Sequence, residues 1–300
     1  MASKKLLTVI QPGTVSFDDL LSGKFDSGPS PDLIITVQSK KTHTKESISY
    51  SEISTWLECH YRHKLKYIDK IDLDGPTEHT EFGQVIHDAL EEFLKTRKMP
   101  AVATVKQQLT ELFSKLKIKK DLKENEWHNV IEPMLMEVPG FLEREFPGWE
   151  FVDCESELYE LILGEDVKKF KGYIDAIIRV PGKKEGSYIY HILDWKTTSW
   201  GWALQKKIDP KKTLQLVLYK HFWAKKNNIP IKDIRCGFVL LKRITKKERC
   251  ELITVSVGDK TLERALDVVQ QFLGSIKKGL APKNRDSCTY CVYYKTSHCP

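Results

Sequence analysis

The residues best suited to chemistry lie in Ile192-Leu193-Asp194-Trp195-Lys196-Thr197. An extended chain alternates faces, so Asp194 and Lys196 project to one side and Trp195 to the other. A carboxylate beside an ammonium at a strand end can hold a divalent metal next to a basic donor. The same two residues also read as an exposed ion pair of little energetic weight. The preceding run Lys171-Gly172-Tyr173-Ile174-Asp175-Ala176-Ile177-Ile178 favours chemistry, because it sets one acid among apolar residues, where an unpaired charge is costly. Two acids on adjacent strands facing a common point make a hard-oxygen site suited to Mg²⁺ or Mn²⁺. Bound there, such an ion polarises a phosphoryl oxygen, acidifies water and stabilises a leaving oxyanion, with Lys196 offsetting transition-state charge.

The cysteines carry a second signal. There are seven, an odd number, and Met-Ala-Ser-Lys-Lys-Leu-Leu at the start lacks the apolar core of an export signal, which argues against a disulfide framework. Cys154, Cys236 and Cys250 fall singly in strand-like runs and read as small buried hydrophobes. Cys288, Cys291 and Cys299 crowd the tail, and Cys59 stands alone near the front.

The elements that position these groups follow from periodicity. Residues 1–46, rich in Pro and Gly, read as an N-terminal arm with one strand at Leu33–Gln38. Ser49-Tyr50-Ser51-Glu52 forms a capping box leading into a helix with Ile53, Trp56, Leu57, Tyr61 and Leu65 on its apolar face. A second helix spans about 81–97, with Phe82, Val85, Ile86, Ala89, Leu90 and Phe93 facing inward. Helical segments at about 104–117 and 125–145 end at Pro147-Gly148. The period then switches, giving strands at 151–163, 169–180 and 188–196, a helix at 210–228, strands at 234–243 and 250–257, and a last helix at 260–278. That order predicts an α/β fold, a mixed central sheet flanked by helices. The expected organisation is an arm (1–46), a helical region carrying Cys59 and His87 (47–148), a core carrying the sheet (149–280) and a cysteine cluster (281–300) packing on the first helix.

Composition sets the outer limits. The 300 residues are 41% hydrophobic and 30% charged, too apolar for a disordered chain. Apolar runs are strand-sized, which excludes a membrane-spanning helix. Lys and Arg number 48 against 41 Asp and Glu, net +7, which fits either a solvated surface or a polyanionic partner. Basic-rich stretches occur at Lys115–Lys120, Lys206–Lys212 and Lys242–Arg249. The expected protein is soluble and intracellular, cytoplasmic or nucleoid-associated, with no membrane contact.

Over residues 50–300 the sequence resembles the PD-(D/E)xK nucleases, in particular their RecB-like branch. Gly83-Gln84-Val85-Ile86-His87 resembles the helical G-x-x-x-H whose His reaches the metal. Asp175 in Gly-Tyr-Ile-Asp resembles the first metal carboxylate, and Asp194-Trp195-Lys196-Thr197 the D-x-K-T motif. Gln215-Leu216-Val217-Leu218-Tyr219 resembles the Q-x-x-x-Y, whose two polar residues share a helix face beside the active site. The branch often adds an acid on the first strand. Here Glu155, Glu157 and Glu160 compete; Glu155 and Glu157 share a face, and Glu157 is favoured, the alternative being that all three form a solvated strand face.

The resemblance extends to the iron–sulfur variant of this branch, as in AddB and the CRISPR-associated nucleases. It implies a [4Fe–4S] cluster on Cys59, Cys288, Cys291 and Cys299, stapling the first helix to the tail. The last gap, Cys291-x7-Cys299, is longer than is usual there. Zinc is the alternative, with His60 or His298 as substitute ligands. Tyr290, Tyr293 and Tyr294 near this clamp either stack on bases or pack around it; Trp200 and Trp202 divide the same way, and Trp195 is expected in the core.

The implied function is that of a metal-dependent deoxyribonuclease, an exonuclease acting on DNA ends or single strands in replication, recombination or repair. His87, Asp175 and Asp194, with Glu157, would hold Mg²⁺ or Mn²⁺; Lys196 would assist the nucleophile; Gln215 and Tyr219 would orient substrate or the metal shell. The rivals are a catalytically silent nucleic-acid-binding subunit of a larger DNA-processing complex and a restriction-type endonuclease. No G-x-x-x-x-G-K-[ST] loop occurs, so unwinding would fall to a helicase or recombination partner.

Overall fold

A computed structural model of the protein describes residues 45–116, 123–165 and 167–300. The N-terminal arm, the strand expected at Leu33–Gln38 and most of the basic run Lys115–Lys120 lie outside the described residues. The chain forms two compact units: Gly75–Asp259, and the residues up to Asp74 together with Lys260–Pro300. Contact in space therefore groups the segments differently from sequence order, which set 47–148 apart from 149–280. The helix bearing His87 belongs with the sheet, and the segment bearing Cys59 belongs with the cysteine-rich tail.

The first unit opens with a short strand, β1 (Ser47–Ser49), and helix α1 (Tyr50–Glu58). Ser49 caps α1, its Oγ accepting from Glu52 N at 3.3 Å. The Glu52 carboxylate is buried and lies 3.1 Å from His63 Nε2. The helix expected to run unbroken to Leu65 stops at Cys59, which is extended (φ −161°, ψ 115°) and ends α1 where α2 (His60–His63) begins. A π-helical turn, Lys64–Ile68, follows.

The second unit begins with α3 (Glu78–Thr96). Thr77 and Thr80 cap it reciprocally, each side chain accepting from the other's backbone N–H. Its apolar side, Phe82 through Leu94, joins α4 (Val102–Ser114) and α5 (Glu124–Glu145) in one core with Cys154, Ala176, Leu193, Trp195 and Val239 of the sheet. That sheet runs in the order β2 (Glu150–Leu161), β3 (Lys169–Pro181), β4 (Tyr188–Thr198), β5 (Ile234–Lys242), β6 (Cys250–Val255). All of these pairings are antiparallel except β4 with β5, which is parallel and is joined through a short helix α6 (Leu204–Lys207) and α7 (Pro210–Asn227). A parallel pair requires such a crossover. Asp209 caps α7, with Pro210 in its first turn. Phe222 of α7 stacks on Phe170 of β3 at 4.5 Å. The expected mixed sheet with helical cover is the observed fold. Cys154, Cys236 and Cys250 are buried, and Trp195 lies in the core.

The chain closes with α8 (Asp259–Lys277) and a 3₁₀ turn at Arg285–Tyr290. Trp56 of α1 meets Phe272 of α8 edge-on at 5.6 Å and donates its Nε1–H to Ser275 Oγ.

Candidate active site

Helix α3 comes close to β4 because Gly83 has no side chain. A Cβ there would lie 3.3 Å from Thr197 Oγ1, tighter than such contacts normally run. One turn on, His87 shares the face of Gly83. Its Nδ1 lies 3.6 Å from Asp175 Oδ2.

Asp175 stands where β3 and β4 part. Their backbone pairing ends at Ala176↔Leu193, and Trp195 N donates instead to Asp175 Oδ2 at 2.8 Å. The carboxylate thus replaces a backbone acceptor and holds two strands at a fixed separation.

Glu155 completes the cluster. The pairs Cys154↔Ala176 and Ser156↔Ile174 set it across from Asp175. Ligand atoms of His87, Glu155 and Asp175 all lie within 4.8 Å of one another, the group among the described residues with metal-ligand convergence. Glu155 has φ of +48°, in the left-handed region, a strain of about 1–3 kcal/mol for a non-glycine residue. Glu157, the favoured first-strand acid, does not join this group. Its exposed carboxylate accepts from Tyr173 OH at 3.0 Å and lies 3.5 Å from Lys171 Nζ. Strand alternation puts Glu155 and Glu157 on one face; the register, together with the left-handed backbone, separates them. Glu160 lies across from Phe170, towards the far end of the hairpin.

Asp194 was expected as a third metal ligand alongside His87 and Asp175, but it is not in the convergent group. It is almost fully buried, with Lys196 Nζ 2.5 Å from Oδ2 and Gln215 Nε2 donating to Oδ1 at 2.7 Å. Tyr219 OH lies 3.4 Å from the same Gln215 nitrogen. The structure therefore brings His87, Glu155, Asp175, Asp194, Lys196, Gln215 and Tyr219 into one site, in two connected sets.

The electrostatics are those of too many carboxylates in too little water. Burial, reinforced by Asp194, pushes the Asp175 carboxyl well above the usual range. Burial also raises Glu155, with Glu91 and Asp88 adding to the effect. Burial opposes the charge on Lys196, yet Asp194 and Asp175 outweigh it and raise that pKa. Burial lowers His87, leaving a neutral imidazole free to ligate. Tyr219 is pushed up to about 12 by burial and keeps its proton.

The Tyr219 ring is seated by another glycine. A Cβ at Gly172 would lie 2.7 Å from Tyr219 Cε1. Gly172→Ala is therefore expected to cost about 1–3 kcal/mol in a urea titration, as overpacking does. Adding Tyr219→Leu should recover most of that loss; a Gly172→Ala protein as stable as the parent would show the contact to be slack.

The chain belongs to the PD-(D/E)XK nuclease superfamily, which its sequence matches over residues 47–297. No curated protein matches the chain. Among solved structures, one named "Putative exonuclease", from Eubacterium rectale, superposes with a TM-score of 0.51 at 12% identity, covering 84% of this chain and 89% of that one. That likeness is one of fold. A second structure, SSO0001, is 13% identical over 92% of this chain and 91% of that one, with a TM-score of 0.38. Among the described residues no helix is long and apolar enough to cross a membrane.

Proposed function

We propose that the protein is a metal-dependent deoxyribonuclease, an exonuclease working on DNA ends or single strands in replication, recombination or repair. The observation that carries this reading is the convergence of His87, Glu155 and Asp175 beside the Asp194–Lys196 pair. One imidazole and two carboxylates, the latter charged at a cost, suit a hard divalent cation. These three residues would hold Mg²⁺ or Mn²⁺, which when bound supplies a Lewis acid and a more acidic water. Lys196, kept cationic by two carboxylates, offsets the charge that develops on the scissile phosphate. Gln215 fixes Asp194 and through it the Lys196 ammonium. Tyr219, protonated at neutral pH, can donate to a phosphate oxygen. Exonuclease action follows from the resemblance to the RecB-like branch, and the net charge of +7 suits a polyanion.

The second part of the proposal is a [4Fe–4S] cluster on Cys59, Cys288, Cys291 and Cys299. All four line one cavity of about 310 Å³. Burial raises the Cys288 thiol, and Cys299, Cys291 and Cys59 raise it further, the mutual repulsion of thiolates that a metal centre relieves. The backbone supports the arrangement: Cys59 Sγ accepts from Asn284 N, Asn284 Nδ2 donates to Glu58 O, and Tyr61 N donates to Pro282 O. His60 and His298 are not among the residues lining the cavity.

The test is cleavage of end-labelled single- and double-stranded DNA, linear and circular, with Mg²⁺, Mn²⁺ or EDTA. Expected is digestion of linear DNA with either metal, none in EDTA, and binding that weakens with salt, because releasing counterions into a saltier solution gains less free energy. The apparent metal affinity should be full above the raised range of Glu155 and Asp175 and fall as pH is lowered through it, because protons compete for the same oxygens. Cleavage of circles would favour the endonuclease reading, and tight DNA binding without cleavage in any metal the silent subunit.

A further inference from the structure

The segment leaving the catalytic strand exposes more apolar surface than a solvated loop needs. Trp200 is 71% exposed, and Leu204 and Ile208 are each 66% exposed. They recur four residues apart through α6 and its flanks. Exposed apolar groups gathered in one place mark a contact surface.

The backbone beneath Trp200 is fastened. Arg243 N donates to Thr198 O at 2.9 Å, Ile244 N to Ser199 O at 2.8 Å, and Arg243 Nη2 to Ser199 Oγ at 2.5 Å. Gly201 has φ of +106° and lies against Lys242, 3.4 Å from where its Cβ would be to Lys242 Cδ. Trp202 is tucked onto Phe238 with its ring 4.7 Å from Lys206 Nζ, so the two indoles flanking Gly201 have opposite fates. Trp200 is a rigidly mounted ring turned to water.

Its surroundings are basic. Residues 199–212 hold four lysines against one acid, Asp209, whose carboxylate caps α7 by accepting from Lys211 N. Lys207 and Lys242 share one carboxylate, Glu251, which leaves a positive excess. The position matters as much as the charge. Trp200 follows Lys196 by four positions, so their Cα atoms are at most about 14 Å apart, or about four base steps.

We propose that residues 199–209 are a stacking platform for unpaired bases of the DNA strand that enters the site, with Trp200 as the principal contact. The proposal rests on the nuclease reading and adds to it where the single strand lies. A basic rim with an exposed aromatic ring is the chemistry of single-strand binding, phosphates held by lysines and bases by the ring face. A neutral apolar partner surface would gain nothing from those lysines.

The test measures affinity of the full chain in EDTA, by anisotropy, for a labelled single strand, the same strand with abasic sites, and a blunt duplex. Trp200→Ala should weaken single-strand binding by about 5- to 150-fold, the range for one stacked base. Trp200→Phe should retain most of it, and duplex affinity should change little. The unmodified protein should prefer the intact strand over the abasic one, and Trp200→Ala should lose that preference, a coupling that a general loss of fold would not produce. Equal affinity of parent and Trp200→Ala for the single strand, with the parent cleaving DNA normally, would overturn this inference and leave the nuclease reading intact. If Trp200→Ala changed oligomeric state while binding DNA normally, the patch would be a protein contact, and the inference would fall. A parent that neither binds nor cuts DNA would overturn the nuclease reading itself.

Discussion

Asp194→Asn and Lys196→Gln are each expected to slow hydrolysis by about 10²–10³-fold or more, the loss that follows removal of one preorganised charge at a transition state. DNA affinity in EDTA should hardly move. The two variants should differ in stability. Lys196→Gln leaves Asp194 buried without its cation, which costs about 3–5 kcal/mol. Asp194→Asn leaves an ammonium whose side chain is about one-third exposed, so water offsets part of that cost. The double variant Asp194→Asn/Lys196→Gln removes both charges and should regain much of the stability while staying as inactive as either single change, because groups that act as a unit do not lose activity additively. Initial rates and urea midpoints on the four proteins read both effects. Undiminished hydrolysis by either single variant would place the active site elsewhere.

The cysteine clamp carries the other large effect. Protein purified without air should be brown, with the broad visible absorption of thiolate-ligated iron clusters. Cys59→Ser, Cys288→Ser, Cys291→Ser and Cys299→Ser should each bleach it and lower the melting temperature sharply. Ligand binding at a structural metal site becomes folding free energy, about 10 kcal/mol or more where measured for structural zinc. Cys154→Ser, Cys236→Ser and Cys250→Ser should keep the colour and lose only about 1–3 kcal/mol, the burial of one hydroxyl. Colourless protein with stoichiometric zinc would replace the iron and keep the clamp. Metal-free protein in which Cys288→Ser melts like the parent would remove both.

The sheet and its helices were legible because their signals are local. Strand-length apolar runs bounded by turn residues gave β3, β4 and β5, and the spacing of Phe82 through Phe93 gave α3 to within a few residues. Glu155 was not separable from Glu157 in the same way. Alternation gives them one face, and only the pairing of β2 with β3 shows which acid opposes Asp175. The break at Cys59 was hidden because helical periodicity runs straight through it, while the extended backbone there depends on contacts with residues more than two hundred positions away, such as Asn284. Glu52, readable as a capping residue, is a buried partner of His63, a side chain 11 residues on and beyond the break at Cys59. The basic composition of residues 206–212 was plain, but the exposure of Trp200 and the partial burial of Trp202, two residues apart, depend on which side of Gly201 each ring falls.

The composition of the first unit from both flanks of the second has a consequence for how the chain is made. Residues 75–259 are translated as one continuous stretch, so every residue of their unit is in the chain before residue 260 is added. Trp56 and Cys59 are translated much earlier, yet Phe272, Ser275 and Asn284, which they touch, arrive only near the end. Domains generally fold as units during synthesis. Here the seven residues of the candidate site are all in the nascent chain before Cys288, Cys291 and Cys299 are added, so any metal held by these three and Cys59 enters last.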